Sequence, residues 1–235
     1  MSKVLGKHKL NPTASAIEDY IRDHALKPGD VLPSEAALCE MLEVSRSSIR
    51  EAMRTLSSLD VVEIRHGHGT YVGQMSLAPL VNGLTLRLTI DQKSALLNLK
   101  QVVDTRIAFD QFNARKLIEA YRHHSTDRLR EIVAEMQQCF ENGESIAVAD
   151  GKFHEELNAK LSNQLIQELY MALWQVHTEA IPQFHLDRGK DLRETVDAHL
   201  SMVEAIEAGD EARLLQTIDD HYGPLKRMID EKIND

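Results

Sequence analysis

The stretch Val44–Leu56, VSRSSIREAMRTL, constrains this chain more than any other. Ser45 is a good helix N-cap, because its hydroxyl can accept from an otherwise unpaired N–H of the first turn. Ile49, Met53 and Leu56 follow at i, i+4 and i+7, which makes one apolar stripe. Arg46, Arg50 and Arg54 recur every four residues beside it, so three guanidiniums project along one side of the same helix. A guanidinium forks onto a guanine edge or a phosphate. A short helix with an apolar side and an arginine side therefore suits a DNA major groove. A solvated surface helix is the alternative, since exposed arginines at this spacing are common. The flanking sequence favours the first reading: a second short helix precedes the stretch and a glycine-punctuated hairpin follows, as in a winged helix-turn-helix.

In chain order, residues 1–10 read as a loose arm. Asn11-Pro12 then starts a helix, with Asn as cap and Pro in the first turn. Its apolar stripe Ile17, Tyr20, Ile21 runs to about Leu26, and Lys27-Pro-Gly-Asp30 is a turn. Ser34 caps a second helix through Leu42, and the arginine helix ends near Leu59. Val61–Arg65 is β-rich, His66-Gly-His-Gly69 supplies a turn, and Thr70–Val72 returns as a strand, giving a two-stranded wing.

Five short motifs here, Pro28-Gly29-Asp30, Leu32-Pro33-Ser34-Glu35, Val44-Ser45-Arg46, Arg50-Glu51-Ala52 and Gly67-His-Gly69-Thr-Tyr-Val72, resemble the DNA-binding domain of GntR-family bacterial transcription regulators. The resemblance covers about residues 12–73. It implies that the arginine helix reads the major groove while the wing tip enters the minor groove. Ser45, Arg46, Ser47, Ser48 and Arg50 would then contact DNA, with His66 and Gly67 at the wing. Position 36, often Arg in that family, is Ala36 here, which removes one DNA contact and changes the expected operator preference.

Charge sharpens this reading. The net charge is −10, with 9 Lys+Arg against 10 Asp+Glu in residues 1–75 and 18 against 27 in the rest. A few placed arginines must therefore bind DNA against an acidic remainder, and nonspecific polyanion binding is disfavoured. No apolar run is long enough to span a bilayer and the N-terminus has no secretion signal, so a cytoplasmic protein with no membrane association is expected. Cys39 and Cys139 make no metal or disulfide framework and read as small buried hydrophobes.

Residues 76–93 carry leucines without strong periodicity and read as a linker with a short helix. From Ser94 the pattern is helical almost to the end. Helices are expected over 94–119, 125–141, 145–161, 163–186, 190–208 and 210–233, with Pro182 and Pro224 kinking or ending two of them early. The expected fold is mainly α: a winged helix-turn-helix over 1–75, then an all-α antiparallel bundle over 94–235.

That bundle holds a notable set of polar residues. Asp150 and His154, four apart, share one helix face. His199 lies ten residues before Gly209 and His221 twelve after it, so a hairpin folded at Ala208-Gly209-Asp210 brings them level. If the helix of Asp150 packs alongside, one carboxylate and three imidazoles converge, a set suited to Zn, Ni or Mn with a coordination position left open. The chain has 11 histidines, so spacing alone leaves unconnected polar residues as an equal reading.

Ser94 onward resembles the FCD ligand-binding domain of the FadR-type branch of GntR regulators. The matching pieces are Val102-Val103-Asp104-Thr105-Arg106-Ile-Ala-Phe-Asp110, Asp150-x3-His154, Asn158-x4-Asn163, Ala198-His199, Ala205-x3-Gly209-Asp210 and His221. Many members of that branch bind a divalent metal through one Asp and three His, which implies Asp150, His154, His199 and His221 as ligands. On its own Arg106 reads as a surface residue, whereas the resemblance implies an arginine pointing into the effector cavity near the metal. It would take a small carboxylate, a hydroxy acid or sugar acid, that also ligates the metal. Position 110, usually Glu, is Asp110 here. His177 and His185 are candidates for lining the cavity, although partly exposed helix histidines are the commoner case, and they stand outside the metal set.

The function expected is a ligand-responsive regulator, not an enzyme: a homodimer on an inverted-repeat double-stranded operator, repressing a catabolic operon. A metal-dependent hydrolase using the same site, or a regulator sensing the metal itself, are the alternatives. Glu155 and Glu156 lie beside His154 but on other helix faces, and no phosphate loop, Gly-x-Ser-x-Gly or His-Glu-x-x-His motif occurs.

Overall fold

The computed structural model describes residues 11–90, 94–184 and 192–234. The loose arm expected over 1–10, His185 and the helix junction around Gly189 lie outside the described residues. The chain divides into two compact units, residues 1–79 and 80–235.

The first unit is built from α1 (Pro12–Asp23), α2 (Glu35–Leu42), α3 (Arg46–Ser58), β1 (Val62–Arg65) and β2 (Gly69–Val72). Each helix begins at a side-chain cap. Asn11 accepts from the N–H of Ala14 at 2.7 Å, Ser34 from Ala37 at 3.2 Å and Ser45 from Ser48 at 3.2 Å. Ile17, Ile21, Leu38, Ile49, Met53, Leu56, Val62 and Val72 close one core. The stripe read from the arginine helix therefore faces inward, while Arg46, Arg50 and Arg54 remain exposed. The strands pair antiparallel from Val62 opposite Val72 to Arg65 opposite Gly69, and Gly67 and Gly69 take the positive φ angles of the wing turn, 77° and 112°. Behind the wing, Gly73 allows a close backbone approach: a Cβ there would lie 2.3 Å from the Asp60 carbonyl oxygen.

The second unit is helical throughout: α4 (Ala78–Ile90, whose first residues reach back across the unit boundary), α5 (Ala95–Tyr121), α6 (Asp127–Glu141), α7 (Ala147–Asn158), α8 (Gln164–Ala180), α9 (Leu192–Ala208) and α10 (Glu211–Asn234). The long α5 packs against α8, α9 and α10, while α7 packs between α6 and α8. Gly209, at φ 65°, makes the α9–α10 turn, closed by Asp210 N–H to the Ala205 carbonyl at 3.0 Å. Asp210 Oδ1 then accepts from the N–H of Arg213 at 3.0 Å and caps α10.

One expectation, an early end at Pro182, is borne out, and two others need correction. The helix read over 163–186 leaves the α form at Ala180 and continues as a 3-10 turn, Ile181–Phe184. Pro182 has no N–H for the preceding turn, and its ring opposes the carbonyl four residues back. Pro224, by contrast, neither ends nor divides α10. An interior proline costs a helix about 3 kcal/mol, and burial of Tyr222, Pro224 and Ile229 in the packed bundle offsets it. Cys39 and Cys139 are only half-buried, Cys39 lying at the margin of the first unit's core.

Candidate metal and effector site

Arg106, Asp110 and Asn113 lie on one face of α5 and are all buried. Asp150 and His154 come from α7, His199 from α9 and His221 from α10. One possible ligand atom from each of Asp150, His154, His199 and His221 lies within 4.8 Å of all the others. Asp150 Oδ1 is 3.1 Å from His199 Nε2 and 3.6 Å from His154 Nε2. All three imidazoles are buried, and His154 Nε2, His199 Nε2 and His221 Nδ1 have no hydrogen-bond partner. The other nitrogens of two rings are engaged. His199 Nδ1 donates to the Thr195 carbonyl at 2.7 Å, and His154 Nδ1 lies 2.8 Å from the Tyr170 hydroxyl. Such bonds turn the Nε2 lone pairs toward the carboxylate, the arrangement a metal requires of neutral imidazoles.

The electrostatics favour these protonation states at Asp150, His154 and His221. Burial pushes the Asp150 carboxyl up, but His154 and His199 outweigh it and hold it well below the ordinary carboxylate range. Burial lowers His154 from its ordinary value, and lowers His221 further with neighbouring imidazoles adding to the effect. A carboxylate and neutral imidazoles with converging, unbonded lone pairs fit a divalent cation.

Beside this cluster a cavity of about 50 Å³ is bounded by Arg106, Asp150, His177, Thr195, His221 and Tyr222, among others. Arg106 is 1% exposed; its Nη1 donates to His177 Nδ1 at 2.7 Å, while Nε and Nη2 have no partner. Burial opposes its charge, but Tyr222, Tyr170 and Asp110 more than compensate, so the guanidinium stays protonated. Each unpaired buried donor costs about 1–3 kcal/mol, and more when charged, so a cavity with this cation on its wall favours an anion.

Sequence reasoning does not single out Tyr170, Trp174 or Tyr222, and it names His177 as a cavity-lining candidate with exposure the commoner case. His177 is buried and holds Arg106. Tyr170, Trp174 and Tyr222 bond to His154, Asp150 and Asp110 respectively. The available signal was spacing: Tyr170, Trp174 and His177 stand at i, i+4 and i+7.

In the first unit, Ser45, Arg46, Ser47 and Ser48 form the exposed or half-exposed start of α3, with Arg50 one turn further on and His66 and Gly67 exposed at the wing tip. Ser45 Oγ hydrogen-bonds with the hydroxyls of Ser47 at 2.7 Å and Ser48 at 2.9 Å. Arg50 is paired: its Nε donates to Glu35 Oε2 of α2 at 3.0 Å. Arg65, next to the tip, is held by Glu63 and stacks 4.1 Å from the Tyr71 ring centroid.

Residues 11–72 match the model of bacterial regulatory proteins of the gntR family, and residues 101–223 match the FCD domain. The chain belongs to the gntR family and carries an FCD domain. This gntR-family protein is 31% identical over 149 residues to the HTH-type transcriptional regulator LutR of Bacillus subtilis, covering 63% of this chain and 66% of that one. It is 23% identical to the galactonate operon transcriptional repressor of Escherichia coli over 76% of this chain and 78% of the relative. The Uxu operon transcriptional regulator of the same organism is 28% identical over 81% and 74% of the two chains. Among solved structures, a Streptococcus agalactiae GntR protein superposes with a TM-score of 0.67 over 93% of this chain and 99% of its own, at 23% identity, which shows the fold. The chain is thus a DNA-binding transcription regulator of gntR/FCD type. Among the described residues no helix is long and apolar enough to cross a membrane.

Proposed function

We propose that this regulator is a repressor of a catabolic operon and senses a small organic acid through a metal-containing cavity. Asp150, His154, His199 and His221 would hold one divalent ion, Ni, Mn or Zn, and Arg106 would pair with the effector's carboxylate beside it. When bound, the metal supplies a Lewis-acidic position for a carboxylate or hydroxyl oxygen. The residues themselves orient that acid and exclude water. The observation that carries the reading is the shared cavity: Asp150 and His221 of the ligand cluster and the buried Arg106 all line it. One relative is named for a galactonate operon, and galactonate is a sugar acid, which supports an effector of that class.

On DNA, Ser45, Arg46, Ser47, Ser48 and Arg50 would contact the major groove, and His66 and Gly67 the minor groove. One α3 covers few base pairs, so the proposal includes a homodimer on an inverted repeat. The test combines three measurements on the full chain: metal content, thermal shift with glycolate, malate and gluconate, and operator affinity with and without the stabilising acid. A ligand at ~100 times its dissociation constant adds ~2.7 kcal/mol. The proposal requires bound metal, a shift that needs metal, and a change in operator affinity. Turnover of an acid would instead indicate a hydrolase, and a response to metal alone would indicate a metal sensor. A monomer on DNA, or a footprint over one asymmetric half-site, would overturn the dimer.

A further inference from the structure

Helix α8 carries Tyr170, Trp174 and His177 on one face, and each of the three bonds to a different group of the site. Tyr170 meets His154 Nδ1 at 2.8 Å, Trp174 Nε1–H donates to Asp150 Oδ2 at 2.7 Å, and His177 Nδ1 accepts from Arg106 at 2.7 Å. We infer that α8 is the outer shell of the site: Tyr170 and Trp174 position the metal ligands His154 and Asp150, and His177 positions the arginine that takes the carboxylate. This inference rests on the metal-and-acid reading above.

Tyr170 acts through its single hydroxyl proton. The buried Asp110 Oδ2 accepts from Tyr222 at 2.7 Å and from Tyr170 at 3.4 Å. With its proton directed at Asp110, Tyr170 has only a lone pair to offer His154. His154 must then donate from Nδ1–H, which leaves the Nε2 lone pair facing Asp150 Oδ1. The Thr195 carbonyl, which can only accept, fixes His199 in the same tautomer from its own helix. Asp110 therefore acts on His154 at one remove.

Trp174 settles how Asp150 can bind. Indole N–H is a donor only, so it occupies Oδ2 and leaves Oδ1 as the single oxygen facing the imidazoles. Gly151 makes this contact possible: a Cβ there would meet the Trp174 ring at 2.8 Å. His177 holds one amino group of Arg106, leaving Nε and Nη2 unbonded beside the cavity. One helix face thus serves two ligand classes through different residues, which makes the roles separable.

The experiment titrates Co²⁺ into metal-stripped full-length protein, following visible absorption and competition with a chelator. Folding of each metal-free variant is checked by circular dichroism. Tyr170→Phe and Trp174→Phe should each weaken Co²⁺ binding by about 10–100-fold and shift its ligand-field bands. His177→Ala should leave the affinity and bands for Co²⁺ unchanged. It should weaken binding of whichever of glycolate, malate or gluconate the Co²⁺-loaded wild type takes, and His177→Gln, which keeps an acceptor, should restore it. If Trp174→Phe does not fold, Tyr170→Phe, which removes one oxygen atom, decides alone. Wild-type affinity and bands in the Tyr170 and Trp174 variants would overturn the inference while leaving the metal reading intact. Loss of Co²⁺ in His177→Ala would overturn its assignment to the arginine. A wild type that takes up no Co²⁺ would overturn the metal reading and the inference with it. A wild type that binds metal but none of the three acids would overturn the effector half and the role of His177.

Discussion

In the first unit the polar groups offered to a ligand lie on the surface; in the second they are buried. Arg46, Arg50 and the wing tip stand in water, positioned by one helix, one turn and surface contacts such as Arg50–Glu35. They cost little to hold and exert little force on the fold. Arg106, His154, His199 and His221 are each at most 8% exposed and come from four helices. Desolvating them is expensive unless a partner compensates. The proposed DNA surface therefore tolerates loss of any one group locally, whereas the four proposed metal ligands act as a unit whose members depend on one another.

The largest expected effect tests that dependence. His199→Ala should remove a metal ligand and reduce affinity by more than the ~10–100-fold that outer-shell loss costs, with the effector response lost. Operator binding by α3 should survive. Metal analysis and operator titration of the one variant measure both; intact metal binding would show that the four residues do not act together.

Arg46→Ala and Arg50→Ala should each weaken operator binding by roughly 1–3 kcal/mol, relax base preference where a base contact is lost, and leave metal binding untouched. Because Glu35 engages Arg50 in the free protein, Glu35→Ala should alter base preference at the position Arg50 reads. Operator titrations over a series of base substitutions and salt concentrations would reveal both effects. Wild-type affinity in both arginine variants would remove α3 from the groove.

A smaller effect concerns pH. The metal-free protein should lose stability as pH falls below about 6.5, the ordinary histidine value, because His154 and His221 have lowered values when folded. Between the folded and unfolded values the unfolded chain binds more protons, so stability rises with pH and is fully present above the unfolded value. Asp150, also lowered, contributes in the same direction, but only near and below its ordinary carboxylate range. Urea midpoints at pH 7.5 and 5.5 provide the check; equal midpoints would mean that the buried imidazoles do not couple to folding.

The smallest effect is local. Ser34→Ala removes the cap of α2 and should cost about 1 kcal/mol, read as a lower melting temperature of the first unit with the effector unit unaffected.

The sequence by itself determined the features that depend on neighbours along the chain. Caps at Asn11, Ser34 and Ser45, the inward stripe Ile49, Met53 and Leu56, the wing glycines and the Gly209 hairpin all follow from local chemistry. Asp150 and His154 share a face through helix geometry alone, and the hairpin makes His199 and His221 level. Whether those two pairs meet depends on His154 of α7 reaching His199 and His221, which spacing left open. Tertiary structure alone also buried His177, because a helix histidine's burial depends on what packs over it. It kept α10 continuous through Pro224, where packing outweighed the local penalty; at Pro182 the local penalty prevailed and α8 ended early, as the sequence implies. Tertiary structure brought α8 against α7, where Gly151 leaves room for an indole to reach a carboxylate, a contact between residues 24 apart that no local rule encodes. Spacing along a chain specifies faces; burial and long-range hydrogen bonds specify which faces touch.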